Sequence, residues 1–156
     1  GQETWKQDRR ERVDTTGDKA DGTSRSILIV DDDLAGCRTL ELHLRAQGHR
    51  VSVGHSVDQG LNAARGFQPE LVILDIRMPG LDGMDVLKII KERWPDSEVV
   101  VITRYPTIES AKEAVRLGAC EYIAKPAAPD DVIKAANDAM THKRWALRSA
   151  TNTAKS

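Results

Sequence analysis

Three short apolar runs, each ending in a polar or acidic residue, constrain this chain more than any other feature. Ile27-Leu28-Ile29-Val30 leads into Asp31-Asp32, Leu71–Leu74 into Asp75, and Val99–Ile102 into Thr103. An unbroken run of about four apolar residues fits a strand covered on both faces, as in a parallel sheet. These are also the longest apolar stretches, and all are far too short to cross a membrane.

Between the runs, the apolar spacing changes to that of helices. Leu34, Cys37, Leu40 and Leu44 recur at three and four residues, and Gly48 stands where a helix would close. Arg50–Gly54 reads as a short second strand, followed by a weaker helical stretch over His55–Gly66 with Val57, Leu61 and Ala64. After a Met78-Pro79-Gly80 turn, Met84, Leu87, Ile90 and Trp94 mark a helix that Pro95 ends. Glu98–Ile102 is the next strand, and Ile108, Ala111 and Val115 give the next helical face before Gly118. Glu121–Ala124 is a short strand. Pro129 opens a last helix, with Asp130 and Asp131 suited to its dipole and Val132, Ala136 and Met140 on one face. The order is βαβαβαβαβα, which calls for an α/β fold: a five-stranded parallel sheet with helices on both faces and right-handed crossovers. Chemistry in such sheets sits at the carboxyl ends of the strands.

The rest of the chain sets the bounds. Residues 1–24 are densely charged, with only Trp5, Val13 and Ala20 apolar, and read as a leader or linker with a short helical turn at Trp5–Arg12. The expected division is 1–25 leader or linker, 26–140 one folded domain, and 141–156 a helix extension (Thr141–Leu147) and tail. No apolar stretch near the N-terminus reads as a secretory leader. The first residue is Gly1 rather than Met, which reads as an excerpt of a longer protein or a trimmed tag. A net charge of −1 gives no reason to expect a nucleic-acid or membrane partner. Cys37 and Cys120 are too few for a disulfide framework or zinc site and are expected as reduced thiols in a cytoplasmic protein.

At the strand ends, Asp31, Asp32, Asp75, Thr103 and, after the fifth strand, Lys125 converge on one edge of the sheet. The three carboxylates repel one another unless balanced. A divalent cation with Lys125 balances them, and this oxygen set suits Mg²⁺, which takes few carboxylates and keeps waters and a phosphate oxygen. A carboxylate can act as the nucleophile and become an acyl phosphate, with the cations stabilising the phosphoryl oxygens in flight.

These residues resemble a known family. Ile27–Asp32 (ILIVDD), Leu71–Gly83 (LVILDIRMPGLDG), Val100–Thr103 and Ala119–Pro126 (ACEYIAKP) are similar to the response-regulator receiver domain of two-component systems, over roughly residues 26–140. The resemblance implies a doubly wound (βα)5 flavodoxin-like sheet of order 2-1-3-4-5. It implies Asp75 as phosphoacceptor, Asp31 and Asp32 as the Mg²⁺ pair (with Mn²⁺ as a substitute), and the Arg77 backbone carbonyl as a further metal ligand. Thr103 and Lys125 would bind the phosphoryl group, and Lys125–Pro126 would be a cis peptide. Asp33 suits a helix N-cap better than a metal role. The donor would be a sensor histidine kinase or phosphotransfer protein. The domain would not be an enzyme beyond its own phosphorylation and dephosphorylation.

Phosphorylation would recruit the Thr103 hydroxyl and let Tyr122 rotate inward, shifting a pre-existing equilibrium. The face made by the fourth helix, fifth strand and fifth helix (Thr107–Leu117, Glu121–Ile123, Asp131–Met140) would then be read by an output domain or effector, or would form a homodimer. Two positions depart from the family. Arg104 follows Thr103 where a small residue is usual, and Ala127 replaces a common aromatic. Arg104, Tyr105 and Arg77 are expected to screen the site, slow hydrolysis and restrict small donors. The four histidines (His43, His49, His55, His142) read as surface residues. One rival is a haloacid-dehalogenase-type phosphatase, which Asp31-Asp32-Asp33 suggests but which needs an acidic pair on a later strand end; Asp130 and Asp131 open a helix instead. The other is a degenerate receiver serving as a docking module.

Overall fold

The structure, a computed structural model, describes residues 24–77 and 82–141. Expectations for the leader, the Met78-Pro79-Gly80 turn, His142 and the tail lie outside the described residues. The elements are β1 (Ser26–Val30), α1 (Leu34–Ala46), β2 (Arg50–Gly54), α2 (Val57–Phe67), β3 (Leu71–Asp75), α3 (Gly83–Arg93), β4 (Glu98–Thr103), α4 (Ile108–Arg116) and β5 (Glu121–Ala124). Residues 129–141 form the last helix, α5. The strands make one parallel sheet of order β2-β1-β3-β4-β5.

Alternation along each buried strand divides the core in two. Ile27, Ile29, Leu71, Ile73, Val100 and Ile102 face α1 and α5, where Leu40, Leu44, Val132 and Ala136 cover them. Leu28, Val30, Val72, Leu74, Val99 and Val101 face α2, α3 and α4, against Ala64, Leu87, Ile90 and Ala114. With both faces covered, the central strands are apolar throughout, which is why they read as unbroken runs. Truncating a fully buried leucine such as Leu74 to alanine costs about 2–5 kcal/mol.

Helix starts are fixed by side-chain caps. Asp33 accepts the Gly36 N–H at 3.1 Å, Ser56 that of Gln59 at 3.2 Å, and Asp82 that of Met84 at 2.9 Å. Thr107 and Ser110 form a reciprocal capping box at α4. Asp33 is thus the N-cap that the sequence suggested. At Gly83, a Cβ would come within 2.2 Å of the Ile76 carbonyl oxygen, so only glycine lets α3 begin this close to the end of β3.

Several sequence readings need correction. The helical stretch expected over His55–Gly66 begins later, at Val57 behind its Ser56 cap, and runs to Phe67. Leu34 is 63% exposed, because it opens the first turn of α1 past the end of the strands. On α4 the branched residues point outward, with Ile108 71% and Val115 61% exposed, while Ala114 is the buried contact. The small Ala114 side chain is the α4 contact with the core. His49 is buried, its Nδ1 accepting the Arg25 N–H at 3.2 Å, and His55 is half-buried. Burial lowers the pKa of His49. Cys37 and Cys120 are free thiols, as expected, and burial pushes both up to about 12.

Candidate functional site

The parallel register builds the site. β1 and β3 pair Val30 with Leu74, so the next residues, Asp31 and Asp75, leave the sheet side by side. Both are buried, at 3% and 6% exposure, whereas Asp32 is exposed. Carboxylate oxygens of Asp31, Asp32 and Asp75 all lie within 4.8 Å of one another, a grouping able to hold a metal ion.

Lys125 arrives from the far side of the sheet, where β5 pairs with β4 and Thr103 lies opposite Ala124. Its Nζ donates to Asp31 Oδ2 at 2.7 Å and Asp75 Oδ2 at 3.0 Å, bridging the two buried acids. The Lys125–Pro126 peptide is cis. Backbone donors hold the other oxygens, with Asp33 N–H on Asp31 Oδ1 at 3.0 Å and Arg77 N–H on Asp75 Oδ1 at 2.8 Å.

Electrostatics follow from this packing. Burial raises the pKa of Asp31; Lys125 and the Asp33 N–H pull it down, Asp75 pushes it up, and the net shift is upward. Mutual repulsion therefore matters, but desolvation is the larger cause. Burial alone would lower Lys125, yet its bonds to Asp31 and Asp75 outweigh that and leave it above the ordinary lysine value. Three carboxylates against one ammonium leave a formal excess of two negative charges, which one divalent cation would neutralise. The all-oxygen, partly exposed donor set fits Mg²⁺.

Thr103 ends β4 fully buried, its Oγ1 accepting the Tyr105 N–H at 3.1 Å. A hydroxyl that accepts still has its own O–H to donate. Tyr122 is half-buried, its hydroxyl bonded to Ser110 Oγ and accepting the Thr107 N–H at 3.4 Å. Both ends of the loop joining β4 to α4 are therefore tied.

The three residues expected to screen the site do not act as one group. The Arg77 guanidinium stacks over the exposed Tyr105 ring, 5.2 Å from its centroid. Arg104 lies on the other flank, where it lines a cleft of about 480 Å³ with Asp31, Asp33, Lys125, Ala127 and Val132.

Two contributors had escaped the sequence reading. The Asp31 carbonyl is contacted by His55 Nδ1 at 3.0 Å and by the Cys37 thiol at 3.4 Å. The rule that functional residues follow strand ends, applied also to the second strand, would have singled out His55.

The family profile of the response regulator receiver domain matches residues 27–137. The chain belongs to the response-regulator receiver family. As a receiver domain it is a phosphoacceptor signalling module. It is 40% identical over 114 residues to the acid tolerance regulatory protein ActR of Rhizobium meliloti, covering 73% of this chain and 59% of that protein. The chain thus spans little more than half the length of this curated relative. Among solved structures, the NtrX receiver domain from Brucella abortus superimposes with a TM-score of 0.69 at 36% identity, covering 74% of this chain and 98% of that one. A response regulator from Burkholderia pseudomallei, solved with a phosphorylated aspartic acid, a calcium ion and citrate, gives a TM-score of 0.69 at 26% identity, covering 83% and 75%. No helix among the described residues is long and apolar enough to cross a membrane.

Proposed function

We propose that Asp75 is the phosphoacceptor of this receiver domain, with Asp31, Asp32, Asp75 and the Arg77 carbonyl holding Mg²⁺, for which Mn²⁺ can substitute. The observation that carries this reading is the Lys125 ammonium bridging Asp31 and Asp75 at 2.7 and 3.0 Å beside the third carboxylate. A structural ion pair needs one acid; two buried acids on one lysine, with a third carboxylate beside them, leave charge to be balanced by a ligand.

The donor is a phosphohistidine of a sensor kinase or phosphotransfer protein. A carboxylate oxygen of Asp75 forms the new O–P bond as the N–P bond breaks, and the electron pair leaves on the imidazole nitrogen. Bound Mg²⁺ would supply charge neutralisation at the transferring oxygens. Lys125 exchanges its contact with Asp75 for a phosphoryl oxygen, and Thr103 donates its free O–H to another. Drawing Thr103 inward strains its bond from the Tyr105 N–H, which couples acyl phosphate formation to the loop that Tyr122 braces. The switched face is α4–β5–α5, whose exposed Ile108 and Val115 offer apolar area to an output domain or a second copy. Arg77 with Tyr105 on one flank and Arg104 on the other tune access and phosphate lifetime. The proposed division is 1–25 leader or linker, 26–140 receiver and 141–156 helix extension and tail. The module works in the cytoplasm, in keeping with its two free thiols. It is not an enzyme beyond its own phosphorylation and dephosphorylation, and it makes no direct contact with nucleic acid or membrane.

The test is incubation with Mg²⁺ and an acyl or amido phosphate, followed by intact mass and mapping of the modified residue. One phosphoryl group per chain on Asp75 supports the proposal. Steady turnover without a stable adduct points to a phosphatase, and absence of any label points to a docking module. A phosphoprotein half-life unchanged in Arg104→Ala would remove Arg104 from the lifetime role.

A further inference from the structure

His55 stands one residue beyond β2, on the same sheet edge as the acidic cluster, and is half-buried there rather than a surface histidine. Its ring Nδ1 lies 3.0 Å from the Asp31 carbonyl oxygen. A carbonyl can only accept, so Nδ1 carries the hydrogen and donates.

The placement of His55 is itself well supported. Its own N–H donates to Gln59 Oε1 at 2.8 Å, and the Gln59 N–H donates to the α2 cap, Ser56 Oγ, at 3.2 Å. On the preceding residue, the Gly54 carbonyl accepts the Asp31 N–H at 3.0 Å. The end of β2 therefore grips the Asp31 backbone from both sides, at its N–H and at its carbonyl, with the Cys37 thiol a weaker second donor to that carbonyl at 3.4 Å.

What this grip controls is Asp32. The Asp31 carboxylate is aimed by Asp33 N–H and Lys125, and that of Asp75 by Arg77 N–H and Lys125. Among the described residues, no hydrogen bond or ion pair holds the carboxylate of Asp32, which is exposed. Its direction is set by its own backbone, and the peptide plane leading into it contains the carbonyl that His55 holds. We infer that His55 is a positioning residue for the metal site, fixing the Asp31–Asp32 peptide plane through Nδ1 so that the Asp32 carboxylate is aimed at a divalent cation before the cation arrives. The inference rests on Asp31, Asp32 and Asp75 forming the Mg²⁺ site. Second-sphere donors of this kind set ligand orientation, and their loss typically weakens metal binding 10- to 100-fold.

The experiment measures the Mg²⁺ dissociation constant of the 156-residue chain by titration calorimetry with no phosphodonor present. His55→Ala is expected to weaken Mg²⁺ binding by about tenfold. His55→Asn puts an amide N–H near the position of Nδ1 and is expected to recover most of that loss. His55→Gln, whose amide reaches instead toward the position of Nε2, is expected to behave like the alanine variant. An unchanged dissociation constant in His55→Ala overturns the inference. If His55→Ala fails to fold, as judged by its melting curve, the amide pair decides, and equal Mg²⁺ affinities for His55→Asn and His55→Gln overturn it. This outcome is separable from that of the phosphoacceptor proposal. Loss of Mg²⁺ affinity in the variant together with no label on wild-type Asp75 refutes the acceptor reading alone, while a labelled Asp75 with undiminished Mg²⁺ affinity in the variant refutes the role of His55 alone.

Discussion

The two ends of the β-sheet both bury polar groups, and they treat them in opposite ways. At the amino ends, Ser97 Oγ donates to the Pro69 carbonyl at 2.6 Å, Ser26 Oγ accepts the Glu70 N–H at 3.0 Å, and His49 accepts from Arg25. Each of these buried side chains is matched by a backbone partner, and burial disfavours the charged form of His49. At the carboxyl ends, Asp31 and Asp75 share one lysine beside Asp32, and formal charge is left over. The balanced edge holds loops in place, whereas the unbalanced edge is the one proposed to take up a divalent cation.

The strongest way to break this contrast is at Asp75. Asp75→Asn is expected to abolish acceptor labelling with acyl phosphate while the domain stays folded, read by intact mass and circular dichroism. Lys125→Met comes next. It leaves two buried acids without their shared cation, so metal-free stability should fall by about 1–3 kcal/mol in denaturant titration, with labelling of Asp75 greatly slowed. At the opposite edge, Ser97→Ala strands the Pro69 carbonyl and should cost about 1–2 kcal/mol while labelling proceeds at the wild-type rate. A changed labelling rate in that variant would erase the distinction between the edges.

The smallest effect is the pH dependence of His49. Its folded pKa lies below the ordinary value of 6.5, so the unfolded chain binds the proton more readily. Its contribution to stability is therefore full above pH 6.5 and is lost as pH falls through the folded pKa. His49→Asn keeps an acceptor for the Arg25 N–H but does not titrate, and stability measured across this interval should decline less on acidification.

How much of this was legible in the sequence depended on whether a feature leaves a local pattern. Strands covered on both faces write themselves as apolar runs, so β1, β3 and β4 and the acids ending them could be read directly. The strand order came from the family resemblance, since nothing local says that β1 lies between β2 and β3. The outward turn of Ile108 and Val115 was hidden because a helix shows an apolar stripe whether alanine or the branched residues make the contact. His49 and His55 each act through one hydrogen bond to a residue 24 positions away, which has no signature in residue spacing. The Arg77–Tyr105 stack likewise joins two loops whose approach only the folded sheet defines.

The bridge from Lys125 spans 94 positions to Asp31 and 50 to Asp75, and its lysine follows the last strand, at the border of the sheet. During synthesis, the acids leave the ribosome long before their counter-charge. Without β5, Asp31 and Asp75 have no lysine between them and β4 has no strand on its outer side. Pairing of β5 with β4 completes the five-stranded sheet and brings the Lys125 ammonium to the two buried acids in one event. Completion of the sheet and arrival of its lysine therefore coincide, so, on the proposed reading, a nascent chain halted before Lys125 offers a donor only unbridged acids.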